Sequence, residues 1–131
     1  MVSFLKADSQ YIFMNIHCFR YALQGLADMF RTQPNARFHL AATVAVVAAG
    51  FWFEISRQEW MAVVLCIALV LAMEAVNTAL EYLTDLVSPE YHQLAGKAKD
   101  AAAGAVLVAA MAAAVVGGVV FLPKLWALVM N

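Results

Sequence analysis

Apolar residues fall along this chain in two kinds of pattern, periodic near the start and continuous afterwards. Ile12, Ile16, Phe19, Leu23, Leu26 and Phe30 lie within about 40° of one line at helical spacing, with Arg20, Gln24, Asp28 and Arg31 on the opposite side. The pattern predicts an amphipathic helix over residues 11–31 that lies in a membrane interface, with packing on a partner as the alternative. Residues 1–10 are polar and expected to be loose. Thr32-Gln33-Pro34-Asn35 breaks the helix, and Pro34, tolerated in a first turn but not inside a helix, is expected to open the next one.

Three continuous apolar runs follow. Residues 40–53 are a first membrane crossing, only 14 residues against the ~20 a span needs, extended by flanking residues to about 36–55. Residues 54–59 form a polar turn. Residues 60–83 make a second crossing, about 60–86 in full, ~36 Å long at 1.5 Å per residue and so longer than a ~30 Å hydrocarbon core. Ser88-Pro89 reads as a helix start and residues 90–99 as a polar connection punctuated by Gly96. Residues 101–122, taken as about 100–122, make a third crossing without a charge, and Gly104, Gly117 and Gly118 there predict close helix approach.

The chain of 131 residues is 65% hydrophobic and 13% charged, so it reads as a single all-α integral membrane domain, residues 1–131. Cys18 and Cys66 have no zinc-type spacing and read as packing residues, and no removable signal peptide is expected. Trp52, Trp60 and Trp126 read as interface anchors. Lys6, Arg20, Arg31 and Arg37 precede the first crossing and Lys97 and Lys99 lie between the second and third, whereas Arg57 and Lys124 flank the other side. The bias puts the N-terminus in the cytoplasm, and no basic surface invites nucleic acid.

Within the second crossing, Glu74, Asn77, Glu81 and Asp85 fall at roughly 0°, 300°, 340° and 20° around the helix, one stripe of three carboxylates and an amide. Ionisable groups in an apolar helix need a protein- or water-lined site with partners. Three thin helices and a surface helix enclose little interior, so a homo-oligomer is expected. Glu74 lies ~21 Å along the helix from Trp60, near the inner boundary of the hydrocarbon, with Glu81 and Asp85 reaching the headgroup layer and water. A lipid and a water-soluble reagent meet at that depth. Phosphoryl transfer needs a base beside an acceptor hydroxyl, carboxylates for magnesium, and cations for phosphate charge, and the chain offers candidates for all three. Soluble nucleotide-binding loops and the metalloprotease and nucleophile-elbow motifs are absent.

The run Glu74-Ala-Val-Asn77-Thr78-Ala79-Leu80-Glu81 with Asp85, then Ser88-Pro-Glu90-Tyr91-His92 and Ala98-Lys99-Asp100, resembles the signature of the prokaryotic diacylglycerol kinase and undecaprenol kinase family. Gly25 and the Asn35-x-Arg37-Phe38-His39 segment extend the resemblance, which spans about residues 20–122. It implies a small lipid kinase of the cytoplasmic (inner) membrane, working as a homotrimer with three transmembrane helices and a surface helix per subunit and with shared active sites. Such an enzyme moves the γ-phosphate of magnesium-ATP to a lipid alcohol, either diacylglycerol or undecaprenol. By matching position, Glu74 is the base, Asn77 organises the site, and Glu81 holds Mg2+ and faces the nucleotide. Tyr21, Glu90, His92, Lys99 and Asp100 are the other nucleotide contacts, and Asn35, Arg37, His39, Glu74 and Ala103 surround the lipid. Gln33 stands where many members carry a metal-binding Glu, and a neutral amide is a poorer magnesium ligand.

Each of these positions has a plainer reading. Glu74 alone is equally a structural carboxyl, Asp85 a holder of a nearby Lys or Arg, Lys97, Lys99 and Asp100 boundary markers, and His39 and His92 interfacial polar residues. The rival functions are a proton or ion pathway subunit, which would want polar groups at several depths, and a catalytically silent scaffold, which Gln33 favours.

Overall fold

The computed structural model describes residues 18–130. The expected start of the surface helix at residues 11–17, the loose residues 1–10 and Lys6 lie outside the described residues. Those described form four helices and no strand: α1 over residues 18–32, α2 Pro34–Trp52, α3 Arg57–Val87 and α4 Gln93–Met130.

Gln33 separates α1 from α2. Its backbone is extended, at φ −101° and ψ 112°, and Pro34 occupies the first turn of α2, where its missing N–H costs no helical hydrogen bond. Gln33 N–H closes α1 on the Met29 carbonyl at 2.9 Å, and the Gln33 carbonyl accepts from Arg37 N–H at 3.3 Å to open α2. α2 ends through Glu54 at φ 48°, a left-handed position where glycine is usual, with Glu54 N–H on Phe51 O and Ile55 N–H on Gly50 O. The polar turn is shorter than expected because Ser56 caps α3: Ser56 Oγ accepts from Glu59 N–H at 3.3 Å, while Glu59 Oε2 accepts from Ser56 N–H at 2.7 Å.

α3 and α4 form the principal antiparallel pair, and α2 packs on α3. At one end Phe53 meets Phe121 and Lys124 Nζ lies 3.1 Å from Glu59 Oε1; at the other, Lys99 bonds to Asp85. The apolar core sits at the first of these ends, around Ile55, Val63 and Val120 with Trp60, Ile67 and Phe121 against them. Most large apolar side chains elsewhere face outwards, among them Phe51, Leu65, Leu107 and Val119.

The connection after α3 departs from the expected one. Ser88 is the C-cap of α3, not the cap of a new helix; its Oγ donates to the Glu90 carbonyl at 3.0 Å. α4 begins at Gln93 instead, where His92 Nδ1 accepts from Leu94 N–H at 3.2 Å, so Gly96, Lys97 and Lys99 are helical. α4 also runs past residue 122, through Pro123 to Met130. A proline inside an apolar helix removes one hydrogen bond, which a long helix in lipid tolerates. At 31 and 38 residues, α3 and α4 are about 46 and 57 Å long, and both are long and apolar enough to cross a membrane. α2, at 19 residues and about 28 Å, carries Arg37 and His39 in its first turns.

Three further expectations are corrected. Cys18 is exposed, and only Cys66 is partly packed. Gly104 and Gly117 have open space where a Cβ would stand, so the glycines of α4 mark no close approach within the chain. Trp60 is more than an anchor: its ring packs on Phe51, and a Cβ built on Gly50 would lie 2.7 Å from it.

Candidate active site

Among the described residues, the polar stripe of α3 is where polar side chains are buried. Glu74, Asn77 and Thr78 are buried, while Glu81 is half-buried and Asp85 exposed. Thr78 Oγ1 donates to the Glu74 carbonyl at 2.9 Å, one turn back along the helix, and so needs no external partner. Asn77 Nδ2 donates to Glu81 Oε1 at 2.9 Å, the contact expected of residues four apart on one helix face. The other Glu81 oxygen accepts from Gln33 Nε2 at 3.0 Å. Gln33 reaches it because its extended backbone at the α1–α2 break belongs to neither helix. Glu81 is therefore held by two amides from two elements, and Asn77 Oδ1 is left buried with no hydrogen-bond partner.

Glu74 faces α2. Its Oε1 lies 3.4 Å from His39 Nε2, within ion-pair reach of a protonated imidazole, but this carboxylate oxygen, on a side chain with 2% exposure, makes no hydrogen bond. Such a group costs free energy unless something satisfies it. His39 stands at one end of an apolar cleft of about 290 Å³ between α2, α3 and α4, lined by Phe38, Val46, Val63, Ile67 and Gly117 among others. A second cleft of about 250 Å³ lies between α1 and α3, with Gly25, Met29, Ala75 and Ala79 in its walls. At its rim Tyr82 Oη donates to Asp28 Oδ2 at 2.8 Å and lies 2.9 Å from Thr32 Oγ1. The face of α1 packed on α3 is thus the one around Gly25 and Met29, and Phe19, Leu23 and Leu26 remain exposed.

The structure brings Gln33, Asn77 and Glu81 together through hydrogen bonds and sets His39 beside Glu74. Asp85 holds Lys99, as its plainer reading had it, and this bond ties the half-buried Lys99 to the end of the stripe. Asn35, Arg37, Glu90, His92, Asp100 and Ala103 are exposed and stand outside the hydrogen-bonded group; Tyr21 is exposed as well. Asp28, Thr32 and Tyr82 were missed. Tyr82 directly follows Glu81, but nothing in a linear pattern pairs it with Asp28, more than fifty residues earlier. Among the described residues no three His, Cys, Asp or Glu side chains group as metal ligands.

A family model described as Prokaryotic diacylglycerol kinase matches residues 20–121, which take in the whole stripe, the α1–α2 break and Lys99. The chain belongs to the prokaryotic diacylglycerol kinase family. By that membership it is a lipid kinase. Among its relatives, the undecaprenol kinase of Bacillus subtilis (strain 168) is 45% identical over 107 residues, covering 82% of this chain and 87% of that protein. The diacylglycerol kinase of Synechocystis is 46% identical over 111 residues, 84% of this chain but 63% of that longer relative. The diacylglycerol kinase of Haemophilus influenzae is 29% identical over 107 residues, 81% of this chain and 91% of that protein.

Proposed function

We propose that the protein phosphorylates the primary hydroxyl of a membrane lipid alcohol, diacylglycerol or undecaprenol, with ATP as donor. The observation that carries this reading is the buried oxygen of Glu74 that makes no hydrogen bond, set 3.4 Å behind His39, which lines an apolar cleft. A lipid whose tail lies in the cleft brings its hydroxyl toward His39 and Glu74, and Glu74, whose Oε1 is free of hydrogen bonds, then orients that hydroxyl and takes its proton as the oxygen attacks the γ-phosphorus. Asn77 holds Glu81 in place through its amide. Lys99, fixed by Asp85, bears charge on the transferring phosphates. Tyr21, Glu90, His92 and Asp100 follow the family motif as nucleotide contacts, and Asn35, Arg37, His39 and Ala103 as lipid contacts.

The donor set around Glu81 fits Mg2+, which takes oxygen ligands and commonly one or two carboxylates beside substrate phosphates. Glu81 would supply the carboxylate, and Asn77 Oδ1, buried without a hydrogen bond one turn away on the same helix face, is a second hard oxygen donor. When bound, the ion offsets phosphate charge.

This reading places α2 as a third crossing beside α3 and α4, with α1 in the cytoplasmic interface of the inner membrane and the N-terminus on the cytoplasmic side. The positive flanks Arg20, Arg31, Arg37, Lys97 and Lys99 support that orientation. It also makes the active unit a homotrimer with shared sites, supported by the exposed nucleotide motif and the apolar outer faces of the single chain. The deciding experiment incubates purified protein in lipid with magnesium-ATP and a panel of lipid alcohols and scores phosphate transfer. A product above the Glu74→Ala control supports the kinase; none with any acceptor leaves the silent scaffold.

A further inference from the structure

We infer that His39 receives the acceptor's proton from Glu74 and passes it to water. The inference rests on the reading of Glu74 as the base. A base 2% exposed and surrounded by apolar helices cannot release its proton directly, so turnover needs a second group that is both basic and wetted. Around Glu74, Asn77 is an amide and cannot carry a proton, and Thr78 spends its hydroxyl on the helix backbone. Glu81 has both oxygens accepting from amides. From α4 the cleft beside His39 is lined by Ala110, Ala113, Ala114, Val116 and Gly117, none of them ionisable. On α2, Arg37 is exposed, and on α1 Asp28 is bound by Tyr82. His39 remains, with Nε2 at 3.4 Å from Glu74 Oε1 and 18% of its side chain exposed. A contact of this length in a free enzyme shortens when substrate closes the site.

The acceptor oxygen bonds to the γ-phosphorus while the bond from that phosphorus to the β–γ bridging oxygen breaks, and ADP leaves with the electron pair. The hydroxyl proton moves to Glu74 Oε1 and then to neutral His39 at Nε2. The imidazolium loses it to water, which returns Glu74 as carboxylate and His39 as imidazole.

Two variants, His39→Gln and His39→Ala, are assayed as purified protein in lipid with magnesium-ATP and the acceptor that the wild type uses. The expected result is a kcat lowered by roughly 10²-fold with the lipid KM little changed, and a rate of His39→Ala that rises with added imidazole. An unchanged kcat with a raised lipid KM makes His39 a lipid contact only and overturns the relay, as does an absence of imidazole rescue in a variant that still binds ATP. The wild type gives an independent check should the variants misfold: with chemistry rate-limiting, turnover slows in D2O, and equal rates in H2O and D2O overturn the relay. Glu74→Gln separates the two levels. Normal turnover in that variant removes the base itself, whereas a lost turnover together with fully active His39 variants removes only the relay.

Discussion

At Glu74 the choice between a structural and a chemical carboxyl rests on hydrogen bonds. A structural carboxyl buried this deeply would be hydrogen-bonded on both oxygens, yet Oε1 makes no hydrogen bond and has only His39 Nε2 at 3.4 Å. Glu74→Gln keeps shape and removes basicity, so turnover should fall by roughly 10²-fold or more while nucleotide binding holds, as read by steady-state kinetics beside ATP titration. Near-normal turnover in the folded variant would remove Glu74 from the role of base. Gln33 poses the complementary question. Its amide now donates to Glu81, and Gln33→Glu would set two carboxylates against each other about 3 Å apart, a repulsion that a divalent cation relieves. The variant should reach half-maximal rate at several-fold lower magnesium than wild type. An unchanged magnesium titration would mean that position 33 does not face the metal.

Among the elements, α3 does two jobs at its two ends. Its first half, from the Ser56 cap to Val70, packs apolar side chains against α2 and α4; its second half carries the polar stripe. The approach of α2 in the first half depends on Gly50, because a methyl there would meet the Trp60 ring at 2.7 to 2.8 Å and Ile55 Cδ1 at 3.2 Å. Gly50→Ala gains about 1 kcal/mol of helix propensity but overpacks the contact by about 1 to 3 kcal/mol. Overpacking wins where the neighbour is a rigid ring already packed at a tilt against Phe51. Denaturant or SDS titration should show a less stable protein, and Gly50→Ala with Trp60→Phe should recover part of the loss. A stabilised single variant would show that the ring moves freely.

For the whole molecule, the ion pairs of Glu59 with Lys124 and of Asp85 with Lys99 fasten α3 to α4 at opposite ends, and the second fastening also places a cation beside the stripe. Lys99→Met should raise the ATP concentration for half-maximal rate without altering the order of preference among lipid acceptors. An altered preference with unchanged ATP dependence would move Lys99 to the lipid side. The single chain leaves Phe19, Leu23 and Leu26 on α1 and Leu107, Val115 and Val119 on α4 exposed, a surface only lipid or further copies can cover. Native mass spectrometry from mild detergent should find three subunits. A monomer that retains full turnover would refute shared sites.

The sequence by itself determined the helices, the stripe and the family. Apolar runs of this length have no alternative but helix in lipid, and residues at spacings of three and four must share a helix face, so Glu74, Asn77 and Glu81 were legible before any contact was known. Helix ends were less legible. Ser88-Pro89 carries the same local signal as a true start, and only the tertiary course shows Ser88 closing α3 and His92 capping α4. The partners across the helices were decided by tertiary structure alone. Gln33 on Glu81, His39 beside Glu74, Lys99 on Asp85 and Tyr82 on Asp28 depend on the relative register and rotation of helices. Those are set by side-chain packing such as Trp60 over Gly50, a balance of many small contacts that no periodicity along one chain encodes.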